Sequence, residues 1–267
     1  MNGPLFLHTW RANRGRLLIV ALALFGWGTL LPIIFDAFGV QFQELRDSGM
    51  IPAQLSQFGG GDIFSLTGSV ALGFIHPLAV GLMLVFAVGF PAAAVAGERQ
   101  RGTLEVLLSR PISRRRVYLT LFSAATLFVA VIVAALILGA LTGAAVTDRV
   151  AELGSGNLPV LWLNGALLFV AIAAVSMAAS VTFDRLAPAI GVSLAFVLLQ
   201  YFMNALGELW PDAAFLQPFS VFSYLDARAA LAGLPDPRDF LILATVIAVA
   251  VGYALVVFPR RDLAAPS

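Results

Sequence analysis

The stretch that decides the fold runs from residue 117 to residue 146 and reads VYLTLFSAATLFVAVIVAALILGALTGAAV. It carries no charged residue, and its length exceeds the roughly 20 apolar residues that a helix needs to cross a bilayer. Five further apolar runs occur in the 267 residues. The sequence therefore predicts an all-α integral membrane protein with six transmembrane helices in a single transmembrane domain, residues 1–267. The predicted spans are Leu17–Phe35, Ser69–Ala96, Val117–Val146, Val160–Phe183, Leu186–Leu206 and Phe240–Phe258.

Composition agrees with a membrane protein and excludes several classes of chemistry. Hydrophobic residues make up 60% of the chain and charged residues 12%, whereas a soluble domain is about half apolar and a quarter charged. The chain has no cysteine, so it forms neither disulfides nor thiolate metal sites. It also has no lysine, which a P-loop or a Schiff-base enzyme requires. The net charge of +1 favours no nucleic-acid partner.

The distribution of arginine predicts the orientation of the spans. Twelve arginines fall in the segments on the side of the two termini, and four fall in the loops on the other side. Basic residues concentrate on the cytoplasmic side of membrane proteins. We therefore expect a multi-pass protein of the plasma (inner) membrane with both termini in the cytoplasm.

Three segments outside the spans have a helical pattern. The first sixteen residues, with Phe6 and Trp10 on one face, predict an interfacial helix, although an ordinary flanking segment with arginines at the headgroups is an alternative. The sequence predicts a weakly helical stretch at Phe42–Phe58. The aromatic loop Gly207–Asp239 predicts short helices before the sixth span, either dipping into the membrane or lying on it as a cap.

Small residues recur four positions apart in two of the spans. Gly139 and Gly143 form a pair in the third span, and Ser176 and Ser180 form one in the fourth. Such spacing lets helices approach closely. We predict packing within the chain, with a homodimer interface or a substrate path as the alternative.

The predicted spans carry almost no groups for ion or acid–base chemistry. Every Asp, Glu and Arg falls in a loop or at the end of a span, whereas ion-coupled transporters use ionisable groups inside the membrane. His76, beside Pro77, is the exception, interpreted either as a packed histidine at a proline kink or as a proton-linked group. His8 lies on the opposite side, so the two histidines cannot share a metal. The energy for any transport must therefore come from a partner.

The segment between the second and third spans reads GERQRGTLEVLLSRPISRRRVY over residues 97–118. Thr103 is a predicted helix N-cap, and Pro111 ends the short helix that follows. Leu104, Leu107 and Leu108 share one face of this helix. An apolar ridge of this kind can dock on a soluble partner; the alternative is a loop whose leucines rest on the bilayer.

This segment resembles the coupling region of the permease subunit of type-2, exporter-like ABC transporters. The resemblance lies in Glu98-Arg99, in Gly102-Thr103-x-Glu105-x-Leu107-Leu108 and in Pro111-x-Ser113-Arg114, between the second and third of six spans. It implies two permease chains, as a homodimer or heterodimer, and two copies of a cassette ATPase that binds ATP and Mg²⁺. The permease itself is then no enzyme and holds no cofactor. The implied ATPase-docking residues are Glu98, Arg99, Arg101, Gly102, Thr103, Leu104, Glu105, Leu107, Leu108 and Pro111.

The resemblance leads to a functional expectation with rivals. We expect a subunit that couples ATP hydrolysis by its partner to the export of an amphipathic or hydrophobic substrate in contact with membrane lipid. A non-transporting scaffold or sensor coupled to an ATPase is the main alternative. A secondary transporter is disfavoured by the missing carboxylates within the spans, and a membrane enzyme by the missing catalytic motif.

Overall fold

The computed structural model describes residues 1–49, 65–109 and 111–261. Within those ranges the chain is helical and contains no strand, which confirms the predicted all-α fold. Six helices are long and apolar enough to cross a membrane, as predicted. These are α1 (Gly3–Asp47), α3 (Pro77–Gln100), α5 (Arg114–Val146), α6 (Leu158–Thr182), α7 (Leu186–Leu209) and α9 (Pro237–Arg260). The shorter helices are α2 (Leu66–Ile75), α4 (Thr103–Leu108) and α8 (Ala227–Leu231).

Helix α1 runs without a break from Gly3 to Asp47. The sequence predicted an interfacial helix leading into the first span, and the two are continuous in one helix. No proline interrupts the helix between Leu5 and Leu31, so the backbone hydrogen bonds continue through the predicted junction. The helix also extends into the predicted weakly helical stretch, most of which lies outside the described residues.

The second predicted span divides at His76, where the backbone is extended (φ −60°, ψ 134°) between α2 and α3. A residue that precedes proline is disfavoured in the helical region, and Pro77 therefore sets the break. The imidazole Nδ1 of His76 accepts a hydrogen bond from the backbone N–H of Leu78 (3.2 Å). Its ring also packs on Trp27, with centroids 4.7 Å apart. These contacts favour the interpretation of a packed histidine at a proline kink.

Helices α1 and α5 cross so closely that only glycine fits at the crossing. A Cβ added to Gly139 would collide with the carbonyl oxygen of Phe25, and one added to Gly143 with that of Thr29. On α1, a Cβ at Gly28 would meet the carbonyl oxygen of Leu136. Gly139 and Gly143, predicted to pack within the chain, therefore allow the close approach of α1 and α5.

Helix α6 forms the centre of the bundle, whereas α7 and α9 lie at its margin. In the most apolar stretch of α6, 61% of the residues are buried, compared with 17% in α7 and in α9. Large apolar side chains such as Leu199, Phe202 and Val249 point away from the bundle on these outer helices. The outer faces of α7 and α9 therefore suit lipid or a second chain.

The first and the last described residues lie at one end of the bundle, called the terminal end below. Near the N-terminus, the backbone N–H of Asn2 donates to Thr120 Oγ1 (2.8 Å) at the start of α5. Near the C-terminus, Arg261 forms an ion pair with Asp184 (3.0 Å) in the turn between α6 and α7. The turns that join α3 to α5 and α6 to α7 lie at this same end.

At the opposite end, the loop between α7 and α9 folds back over the helices. It contains 3-10 helices at Pro211–Phe219 and Val221–Tyr224, followed by α8. The carbonyl of Tyr224 accepts a hydrogen bond from Asn164 Nδ2 (2.9 Å) on α6. The loop thus lies on the helices as a cap built of short helices.

Candidate coupling site

The candidate site is the coupling segment, residues 97–113, which joins α3 to α5 at the terminal end. It begins with a tight turn centred on Gly102, whose φ of +71° lies in the left-handed region that favours glycine. Glu98 holds the turn together. Its Oε2 accepts a hydrogen bond from Thr103 Oγ1 (2.5 Å), and its Oε1 pairs with the Arg101 guanidinium. The motif residues Glu98, Arg101, Gly102 and Thr103 therefore build one turn.

Thr103 does not cap α4 as the sequence predicted. Gly102 occupies the N-cap position, and Thr103 is the first residue of the helix, with its hydroxyl directed back to Glu98. Ser113, in contrast, caps α5, accepting a hydrogen bond from the backbone N–H of Arg116 (3.3 Å). The coupling segment is thus fixed by side-chain bonds at both of its ends.

The leucine face of α4 points into the bundle. Leu104 is 1% exposed and packs in a cluster with the ends of α5, α6 and α9, and Leu107 and Leu108 pack partly buried against the same cluster. The opposite face carries Glu105 and Val106, which is 67% exposed. Of the ridge predicted to dock on a partner, Leu104 is covered by this chain's own helices, whereas Leu107 and Leu108 remain partly exposed.

Arg99, predicted as a docking residue, is 7% exposed and braces the segment from inside. Its Nη1 donates to the backbone carbonyl of Phe183 (3.1 Å) and to Asp184 Oδ1 (2.8 Å), in the turn between α6 and α7. Arg261 reaches the same carboxylate oxygen from the end of α9. One aspartate therefore joins the coupling segment to two other elements.

A second brace links the start of α5 to the end of α9. Arg114 Nη1 donates to the backbone carbonyls of Phe258 (3.3 Å), Pro259 (3.4 Å) and Arg261. Arg115 Nε donates to the carbonyl of Leu255 (3.2 Å). The carbonyls at a helix C-terminus have no partner within the helix, so arginine side chains satisfy them here. The sequence analysis counted these arginines toward orientation and used Arg114 in the family resemblance; basic residues facing a helix end were the available signal for the brace.

The sequence did not indicate that Ser180 of α6 forms hydrogen bonds with the backbone of α3. Its hydroxyl lies within hydrogen-bond distance of three backbone groups of α3 in a π-helical turn, Ala93–Gly97, directly before the coupling segment. The sequence indicated only a small residue suited to helix packing. Nothing in the spacing of α3 signals a π turn, because its partner lies 84 to 88 residues away.

A groove of about 380 Å³ separates the first turns of α1 from the coupling segment. Its floor is apolar, with Phe90, Ala94 and Leu121, and polar side chains of both walls line it. The polar lining residues are His8, Thr9, Asn13, Arg16, Glu98 and Arg101. The groove places the N-terminal part of α1 next to the motif turn.

The described contacts of the site are packing contacts and hydrogen bonds within this chain. Among the described residues, no group of three or more His, Asp or Glu side chains is placed to hold a metal ion. Several polar groups of the coupling segment pair with one another or with a neighbouring turn: Glu98 with Thr103 and Arg101, and Arg99 with Asp184. What the arrangement can do is carry a displacement of α4 into the ends of α3, α5, α6 and α9.

Comparison with known families identifies the chain. A family model for ABC-2 family transporter proteins matches residues 8–263, which include the coupling segment and nearly all of the six long helices. A comparison with curated proteins finds no match. Members of the matched family are the multi-pass membrane subunits of ATP-binding cassette transporters, and the ATPase is a separate partner. Since the match spans nearly all of the helical bundle, this chain belongs to the ABC-2 transporter family.

Proposed function

We propose that this permease couples ATP hydrolysis by a cassette ATPase to movement of a substrate, and that the ATPase docks on the outer face of the coupling segment. The observation that supports the proposal is that one face of α4 is buried in the bundle and the other is exposed. Leu104 is anchored among the ends of α5, α6 and α9, while Glu105 and Val106 face away from the bundle. A partner that displaces the outer face moves α4 against three spans at once.

The predicted docking residues divide into two groups on this basis. Arg101, Thr103, Glu105 and Pro111 are exposed, and Glu98 and Gly102 are half-buried beside them, so these six form the proposed contact surface. Arg99 and Leu104 transmit force from inside the chain, with Leu107 and Leu108 at the boundary. A charged rim around a small apolar patch gives a partner both register and specificity.

The proposed assembly contains two copies of this permease or two related permeases, together with two ATPase subunits that bind ATP and Mg²⁺. The exposed apolar faces of α7 and α9 support contacts with lipid and with a second permease chain. The terminal end faces the cytoplasm in this proposal because twelve of the sixteen arginines belong to it. The membrane is then the plasma membrane.

The proposed substrate is amphipathic or hydrophobic and moves outward. The long helices bury polar side chains of modest size, such as Asn164, Ser176 and Ser193, rather than carboxylates. Such groups offer hydrogen bonds but no charge for an ion to follow, which also argues against a secondary transporter.

The test is capture of a co-expressed cassette ATPase from the same organism by the tagged chain. The Glu105→Arg variant reverses a charge on the proposed docking face, and we expect it to weaken capture about tenfold, with a dependence on salt. Asp212→Arg is the matched control, since it makes the same reversal on an exposed residue at the opposite end.

Equal capture by both variants and the wild type would remove the docking role of α4. Cargo movement measured together with ATP hydrolysis by the captured complex in liposomes separates a transporter from a sensor. A transporter moves a cargo at the expense of ATP, whereas a sensor hydrolyses ATP with no cargo moved.

A further inference from the structure

Helix α3 contains two π-helical turns, Val85–Gly89 and Ala93–Gly97, separated by three α-helical residues. The first has a cause within the helix. Pro91 has no N–H, and its ring would press on the carbonyl of Ala87 four residues earlier in a regular α-helix. The wider turn relieves that contact, and the backbone N–H of Phe90 bonds to the carbonyl of Val85, five residues back. The second turn has no proline to explain it.

The second π turn is satisfied from another helix. Ser180 Oγ on α6 accepts hydrogen bonds from the backbone N–H groups of Val95 (3.0 Å) and Ala96 (2.9 Å), and it donates to the carbonyl of Ala92 (2.7 Å). A hydroxyl has one donor and two acceptor positions, so the bonding capacity of this group is full. The side chain is completely buried. Its hydroxyl therefore stands in for helix bonds that the π turn does not make.

This turn determines where the coupling segment begins. Glu98 and Arg99 follow it directly, and the Arg99 guanidinium reaches Asp184, four residues after Ser180. The two attachments hold the end of α3 to the end of α6. If the π turn closed into an α-helix, every residue beyond it would rotate by about 100° and shift by about 1.5 Å along the axis. Arg99 would then face away from Asp184.

We propose that Ser180 is a positioning residue that sets the register of the coupling segment by holding this π turn open. When the hydroxyl releases the backbone, the turn closes and the coupling segment rotates about the axis of α3. π turns inside α-helices occur frequently at functional sites, as expected of an element with two accessible registers. The meaning of this motion for transport rests on the proposed function, but the register itself is a property of the permease chain alone.

The test measures a distance in the purified chain in nanodiscs. Because the chain has no cysteine, spin labels can be placed at Val106→Cys on α4 and Arg185→Cys after α6, both exposed positions. A one-residue change of register displaces a backbone atom by about 3–4 Å, so Ser180→Ala should shift the distribution of distances between the labels. Ser176→Ala is the matched control. It removes an equally buried hydroxyl one turn earlier that bonds only to Ile172 in its own helix.

A deletion provides the second arm. Removing Ala93 takes one residue out of the π turn and should leave a regular α-helix with the coupling segment in its original register. In that background Ser180→Ala should change neither the distance nor the midpoint of thermal unfolding. In the chain that retains Ala93, Ser180→Ala should change both the distance and the unfolding midpoint.

Three outcomes overturn the proposal. They are a wild-type distance in Ser180→Ala, an equal shift in Ser176→Ala, and a Ser180→Ala chain that unfolds equally with and without the deletion. Failure of the proposed function looks different: the wild type then captures no ATPase while the distances still follow Ser180. Conversely, normal ATPase capture with distances that ignore Ser180 removes only this inference.

Discussion

At the scale of single residues, the contacts of Arg99 differ from those that its sequence motif suggested. As part of a charged motif it suggested a contact with a partner, but its guanidinium is buried and bonded to Phe183 and Asp184. Burial of an arginine is costly unless its donors are paired. Its position inside the chain therefore makes Arg99 part of the connection between the coupling segment and α6.

Replacing this arginine should destabilise the permease without unfolding it. Arg99→Ala removes charge-assisted hydrogen bonds, each worth about 1.5–3 kcal/mol, although Asp184 keeps its partner Arg261. We expect a lower midpoint of thermal unfolding and a more accessible coupling segment. Arg185→Ala, an exposed neighbour, is the control and should leave the midpoint unchanged. An identical midpoint in both variants would show that the brace contributes nothing.

At the scale of whole elements, the backbones of α1 and α5 touch where the two helices cross. No side chain larger than that of glycine fits at Gly28 or Gly139. Gly28→Ala would force a methyl group against the carbonyl of Leu136, a backbone atom that cannot rotate away. Overpacking of this kind costs about 1–3 kcal/mol. We expect a lower yield of folded protein in detergent and a lower unfolding midpoint.

Gly26 gives this prediction a control on the same helix. A Cβ at Gly26 meets nothing within 4 Å. Gly26→Ala should therefore leave stability unchanged or raise it slightly through its higher helix propensity, about 1 kcal/mol. Equal effects of the two substitutions would mean that the helices separate without cost at the crossing.

The same scale shows what the sequence could predict and what it could not. Six long apolar runs predict six helices because crossing a bilayer requires that length, and Pro77 predicts a kink because it restricts the residue before it. The leucine spacing predicts that α4 has an apolar face. It does not predict what covers that face, because leucine side chains pack equally well on the chain's own helices and on an apolar groove of a partner. The π turn at Ala93–Gly97 depends on a hydroxyl from α6, and no local pattern encodes such a contact.

At the scale of the whole molecule, the proposed coupling to an ATPase depends on how the chain is oriented in the membrane. An ATPase can reach the coupling segment only if the terminal end faces the cytoplasm. We predict that an impermeant thiol reagent labels Asp212→Cys in intact cells and labels Arg115→Cys only after the membrane is opened. Both positions are exposed, and the natural chain contributes no background. The reverse pattern would place the segment on the wrong side for an ATPase.

The uninterrupted helix α1 has a consequence for the membrane itself. Its 45 residues give a rod about 67 Å long, at 1.5 Å per residue. A bilayer with its headgroups is about 40–45 Å thick, so even an upright rod exceeds it by more than 20 Å. About fifteen residues of α1 must therefore stand in water or lie tilted in the headgroups. The apolar run Leu17–Phe35 is about 28 Å long and matches the hydrocarbon core, so the parts of α1 that extend beyond the bilayer are its polar ends.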